Sequence, residues 1–243
     1  VRLILLIVIA SGCGDSRDKP KPQRPPCTPL PPTMSGTATH YDAKGTGQCS
    51  FDASGDGMVA AINGEDYDHA AWCGACLAVS GAASRHPGDG SLSGFGAGPD
   101  NEIVVRVVDQ CPRCKKGDLD LSREAFALLA PMATGRIPIK WRVVPCDVQG
   151  PITYQFKDGS NPAWTAIQIR NHRYPIAGVA ARDDSGSFRV LARADYNYFV
   201  ATGLGPGPYI LRVTDTRGRT LEDTIALGDR VARTGAMQFA WCQ

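Results

Sequence analysis

A run of β-branched residues leads into a short cysteine-bounded turn, and this stretch constrains the chain more than any other. Ile103-Val104-Val105-Arg106-Val107-Val108 has the composition of a buried strand. It continues through Asp109-Gln110-Cys111-Pro112-Arg113-Cys114 to Gly117-Asp118-Leu119-Asp120-Leu121-Ser122. Two aspartates, Asp109 and Asp120, therefore stand on either side of the turn with apolar neighbours. Carboxyls held against apolar walls suit acid chemistry or the binding of sugar hydroxyls. Aspartate also caps turns and helices, so a purely structural role for both is the competing reading.

Beyond the turn, Ser122 can cap a helix over residues 123–130, with Glu124 favourable in its first turn and Pro131 ending it. Ile137, Ile139, Trp141 and Val143 then alternate with other residues, as in a half-buried strand. One helix among many strands fits a small barrel. From Pro151 onward the pattern is strand, turn, strand, with candidates at 152–156, 165–170, 188–193, 209–214 and 237–241. Gly, Asp, Asn and Pro separate them at roughly the spacing of a β-sandwich. Phe239 and Trp241, on the last of these, read as core residues. The link around Val148-Gln149-Gly150 is only a few residues, so the two units should pack together.

With 243 residues the chain has room for two domains of about 100 residues. A net charge of +2 argues against bulk nucleic-acid binding. Leu3 to Ala10 is an apolar run too short to cross a bilayer, and it fits the core of an export signal. Ala10-Ser11-Gly12-Cys13 resembles a bacterial lipobox, which makes Cys13 the expected lipidation site. An ordinary secretory signal is the alternative. The following stretch to Thr33 is rich in proline and charge and reads as a semi-rigid tether. Export implies an oxidising compartment, and nine cysteines less a lipidated Cys13 leave an even number to pair. Spacing alone does not fix their connectivity. Cys73-x-x-Cys76 with Cys111-x-x-Cys114 would also be compatible with a zinc site.

The turn motif, followed by Ala125-Phe126, resembles the first domain of expansins and of fungal expansin-like loosenins. Gly36-Thr37-Ala38-Thr39-His40-Tyr41 resembles their opening strand. Ala166 to Pro175, Asp195-Tyr196-Asn197-Tyr198-Phe199 and Val213-Thr214-Asp215 resemble the second domain of bacterial expansins. The resemblance implies a mainly β chain, with a six-stranded double-psi β-barrel followed by an immunoglobulin-like β-sandwich. The expected spans are a lipoprotein leader at 1–12, the tether at 13–33, the barrel at 34–148 and the sandwich at 149–243. It also implies disulfides Cys49–Cys73 and Cys76–Cys146, leaving Cys111–Cys114 and Cys27–Cys242.

By the same resemblance, Asp120 matches the residue on which wall loosening depends, Asp109 a second acid and Thr39 a groove threonine. Tyr41 is expected to line the groove. Asp42 is a weaker candidate for a catalytic base, and His40 for either a groove or a structural role. In the sandwich, Trp164 and Tyr196 match two of three aromatic platform positions, and Ala163 stands where the first tryptophan would be. Lys157 matches a polar neighbour that bonds sugar hydroxyls. Arg170 to Pro175 reads as an inter-domain turn before it reads as a binding patch. The implied function is non-hydrolytic loosening of cell-wall polysaccharide by an exported, lipid-anchored monomer that needs no cofactor or metal and contacts a membrane only through its anchor. Expected partners are cellulose, xyloglucan or another β-glucan, with peptidoglycan the outlier. The alternatives are a polysaccharide-cleaving enzyme on the same barrel, of endoglucanase or lytic-transglycosylase type, and a plain carbohydrate-binding module.

Overall fold

The structure, a computed structural model, describes residues 27–53, 55, 57–81, 84–85, 92–93, 102–228 and 232–242. The expected leader, Cys13 and most of the tether lie outside the described residues.

Strands β1 (Met34–Tyr41), β2 (Val59–Asn63) and β3 (Cys76–Gly81) open the first unit, with the short helix α1 (Gly64–Tyr67) after β2. A two-residue ladder, β4 (Ser84–Arg85) and β5 (Leu92–Ser93), precedes β6 (Ile103–Cys111) and β7 (Leu119–Ser122). Helix α2 (Arg123–Leu129) and β8 (Ile137–Val144) complete it. Six strands close into a barrel in the order β1-β7-β2-β6-β3-β8. β1 runs parallel to β7 and β2 parallel to β6, while the other ladders are antiparallel.

Period-2 burial explains why these segments are strands. On β8, Ile137, Ile139, Trp141 and Val143 point into the core while Pro138, Lys140 and Arg142 face out. Leu77, Val105, Val107, Leu119 and Leu121 fill the same core. Ser122 Oγ accepts the Ala125 amide at 3.1 Å, capping α2. The helix then lays Ala125, Phe126 and Leu129 onto the barrel.

The tightest packing is between two glycines. A Cβ on Gly36 would lie 2.1 Å from the Gly117 carbonyl oxygen, and one on Gly117, at φ +83°, would lie 2.4 Å from that of Ser35. The indole of buried Trp141 donates to the Gly117 carbonyl at 2.7 Å.

The second unit is a two-layer sandwich. One sheet has the order β13 (Ala192–Ala194), β14 (Tyr198–Thr202), β10 (Trp164–Arg170), β9 (Thr153–Phe156), β17 (Ala232–Thr234). The other has β12 (Phe188–Val190), β11 (Ile176–Arg182), β15 (Tyr209–Asp215), β16 (Thr220–Ile225). Tyr154, Phe156, Ile167, Leu211, Val213 and Phe239 pack between the sheets. Two expectations need correction here. Residues 237–241 form no strand, and Trp241 is not core: it is 51% exposed. Its ring lies against the Arg173 guanidinium at 4.2 Å, next to a cysteine bonded at the surface, so a cation–π contact replaces burial.

Four disulfides join Cys27 to Cys242, Cys49 to Cys73, Cys76 to Cys146 and Cys111 to Cys114. Cys73 and Cys76 thus go to different partners, and the eight described cysteines leave no thiolate for the alternative zinc arrangement. The units meet around Cys49. Its carbonyl accepts Gln168 Nε2 at 2.8 Å and Asn197 Nδ2 at 3.2 Å, while Arg170 ion-pairs with Asp52. The Arg170–Pro175 stretch is therefore inter-domain. Within it His172 is buried against Gly74, its Nδ1 2.8 Å from the Tyr174 carbonyl oxygen.

Two predictions follow from this packing. Gly36→Ala should cost about 2–3 kcal/mol in urea unfolding, because the backbones of β1 and of the turn before β7 must part. Burial holds the His172 imidazole neutral, with its pKa down at about 3. The unfolded state therefore binds the extra proton between about pH 3 and 6.5, and stability falls as pH drops through that window. From pH 7 to pH 5 the loss from this residue should be about 2 kcal/mol, and thermal melts of His172→Gln should lack that part of the slope.

Candidate functional site

Strand register builds the barrel site. Thr39 on β1 faces Asp120 on β7, Asp120 faces Ala61 on β2, and Ala61 faces Asp109 on β6. The ladder of β2 with β6 slips between Ala60 and Ala61, so that Val108 is an extra residue in β6. That bulge turns Asp109 onto the same outer face as Asp120 instead of toward the core. With strands about 4.8 Å apart, the two aspartate Cα atoms stand about 10 Å apart across β2.

The Thr39 hydroxyl donates to Asp120 Oδ1 at 2.6 Å, and among the described residues Asp120 accepts no other hydrogen bond. Asp120 is half-buried and lines an open groove of about 310 Å³, with the Cys111–Cys114 turn on its flank. Asp109 Oδ1 accepts the Gln48 amide at 2.7 Å and the Gln110 amide at 2.8 Å. The loop before Gln48 comes close enough that a Cβ on Gly47 would lie 2.4 Å from Asp109 Cγ. Asp118 is committed to structure, accepting the Thr37 amide at 2.8 Å and the Lys115 amide at 3.2 Å.

Tyr41 sits two residues beyond Thr39. Its buried hydroxyl has no hydrogen-bond partner among the described residues. Burial first, then the charges of Asp109 and Asp120, push its pKa upward, so the phenol stays protonated as a donor. His40 is turned the other way, edge-on to the Phe126 ring at 4.8 Å, which makes it a packing residue. Asp42 is also remote from this arrangement: its side chain is 84% exposed and lies 3.8 Å from Arg123.

The sandwich contributes an aromatic patch on the outer face of its five-stranded sheet. Trp164 pairs with Thr202 and Ala166 with Val200, so Trp164, Val200 and Tyr198 share that face. Asn161 fixes Trp164, accepting its amide at 3.1 Å. Trp164 and Tyr196 are half-buried rather than core. The Lys157 ammonium lies 5.3 Å from the Tyr196 ring centre and 5.2 Å from that of Tyr198. Ala163, at the missing platform position, is exposed.

Three residues that sequence reasoning passed over join the two patches. Gln168 and Asn197 seat the aromatic sheet on the Cys49 loop, whose neighbour Gln48 holds Asp109. The Tyr67 hydroxyl donates to the Asp195 carbonyl, beside Tyr196, at 2.7 Å. Burial and then the nearby Asp109 charge raise the pKa of Tyr67 as well, so its phenol stays protonated as a donor. The close approach of Gly47 to Asp109 and the bulge at Val108 were also missed.

The family described as "Lytic transglycolase" matches residues 59–141. Expansin-YoaJ of Bacillus subtilis is 44% identical over 128 residues, 53% of this chain and 55% of that protein. The chain therefore matches little more than half the length of that relative. The apo structure of the Clavibacter michiganensis expansin is 30% identical with a TM-score of 0.74, covering 87% of this chain and 100% of that one. A mutant of that expansin solved in complex with cellohexaose gives the same identity and TM-score.

Because the Tyr41 hydroxyl is buried without a partner, its removal should not weaken the fold. Tyr41→Phe is expected to melt at the same temperature as the native protein or a few degrees above it, as a thermal melt would show.

Proposed function

This chain belongs to the bacterial expansin-like proteins, and we propose that it loosens cell walls by binding β-glucan and parting polysaccharide contacts without cutting them. The reading is carried by the state of Asp120: a half-buried carboxyl in an open groove, oriented by Thr39, with an oxygen left for a sugar hydroxyl. The aromatic patch of Trp164 and Tyr196 offers flat apolar area to sugar faces. Because the Cys49 loop joins both patches, one glycan chain can lie across them.

Cleavage with inversion needs a second carboxyl about 6.5 to 9.5 Å from the acid, free to activate water. Register alone brings Asp109 near that range. Its Oδ1, however, is held by two backbone amides under the Gly47 loop, which suits an anchor better than a base. Asp42 is turned out to Arg123. These features support binding without hydrolysis. The match to the family described as lytic transglycolase favours cleavage as the second reading. Paired cysteines agree with work outside the cytoplasm, and export and a lipid anchor at Cys13 belong to the same proposal.

The deciding experiment is extension of a clamped cell-wall strip, with release of reducing ends from soluble β-glucan and of fragments from peptidoglycan measured in parallel. Native protein should extend the strip and release neither. Asp120→Asn should lose the extension at least tenfold, roughly the weight of a charge-assisted hydrogen bond, while keeping its melting temperature. Product release that vanishes in Asp120→Asn would establish the enzyme reading instead. Trp164→Ala should weaken cellulose binding about tenfold, or about 1–2 kcal/mol, and leave the barrel intact.

A further inference from the structure

The groove beside Asp120 carries an unbalanced charge. Arg113, Lys115 and Arg136 line it together with Thr39 and Asp120. All three cations are exposed. Among the described residues none of them lies within ion-pairing distance of a carboxylate, whereas Lys116, Arg123, Arg142, Arg170, Arg182 and Arg212 do have such partners. Lys116, the next residue along, lies 3.9 Å from Glu65, Arg142 pairs with Glu102 at 2.6 Å, and Arg212 pairs with Glu222 at 2.7 Å. The one further carboxylate on this flank, Asp118, is occupied by the Thr37 and Lys115 amides.

The cations come from two separate loops, each with a fixed backbone. Arg113 and Lys115 flank Cys114 on the turn closed by the Cys111–Cys114 disulfide, with the Cys114 amide on the Cys111 carbonyl at 3.1 Å. Arg136 follows the turn Met132–Thr134, and its amide bonds the Thr134 carbonyl at 2.7 Å. The backbone cost of gathering three positive charges on one groove is therefore met in the fold. Net charge on the whole chain is only +2, so general basicity does not account for the cluster.

We infer that this end of the groove is a subsite for a carboxylated sugar, so that the glycan held at Asp120 bears an acidic residue next to the contact being loosened. A guanidinium fork matches a carboxylate in two parallel hydrogen bonds, and two arginines and a lysine on one groove supply the positive charge such a ligand needs beside Asp120. The inference deepens the wall-loosening reading and rests on the groove being a glycan site. Two sources share the chemistry: uronic-acid polysaccharides and the lactyl and peptide carboxylates of peptidoglycan.

The test is binding of the full chain to an oligogalacturonide, a muropeptide and cellohexaose of similar length, at low salt and at about 0.15 M, where screening trims exposed charge pairs. The triple variant Arg113→Gln, Lys115→Gln, Arg136→Gln is measured alongside; its positions are exposed, and its melting curve checks the fold. At least one acidic glycan should bind more tightly than cellohexaose, weaken with salt, and lose about tenfold in the triple variant while cellohexaose is unchanged. The tighter of the two acidic glycans identifies the source. Acidic glycans that bind no better than cellohexaose, a variant that binds them as the native protein does, or polyaspartate competing as well as either glycan would overturn the subsite. If cellohexaose also fails to bind and Asp120→Asn changes nothing, the groove is not a glycan site and the wall-loosening proposal falls with it.

Discussion

The close passage of β1 over the turn before β7 is the contact on which the site depends. Two side-chain-free residues, Gly36 and Gly117, let the backbones approach where any Cβ would collide. Trp141 seals the crossing with its indole N–H, and Asp118 ties the turn back to Thr37. Once the two segments are locked, the parallel ladder fixes Thr39 opposite Asp120. The carboxyl's orientation is thus a consequence of backbone geometry, and no flexible loop has to organise before a ligand arrives.

The second constraint is the loop around Cys49. Its disulfide to Cys73 holds it to the barrel, its amide bonds the Val108 carbonyl beside the bulge, and its carbonyl receives two side chains from the sandwich. One short loop therefore restrains Asp109 on one side and the aromatic sheet on the other. Gln168, fully buried on the same face of β10 as Trp164, carries that face into the domain contact. Polar groups at this junction are hydrogen-bonded, so the seat is specific as well as close.

Much of this was legible in the sequence where the signal is local. The alternation on β8 and the cap at Ser122 gave away a barrel strand and the longer helix, α2. The motif around Asp109 and Asp120 located the groove. What stayed hidden is set by contacts between distant segments. A bulge at Val108 cannot be read from a uniformly β-branched run, and the partners of Gln168 and Asn197 lie 119 and 148 residues away. Strand β16 was missed because Asp223 interrupts its apolar alternation: that carboxylate is buried by accepting the Tyr154 hydroxyl at 2.8 Å and the Ala236 amide at 2.8 Å. Trp241 misled in the opposite sense, since a large ring beside a cysteine suggested a core that its arginine partner made unnecessary.

The bond between Cys27 and Cys242 spans 215 residues and brings the two ends of the described residues together at the sandwich. Thr28 reinforces the junction through its amide on the Arg217 carbonyl at 3.0 Å. A pull on Cys27 is then delivered covalently to Cys242 as well as along the chain to β1, so the load divides between the sandwich and the barrel. The disulfide thus gives tension a second covalent route beside the strand that carries Thr39.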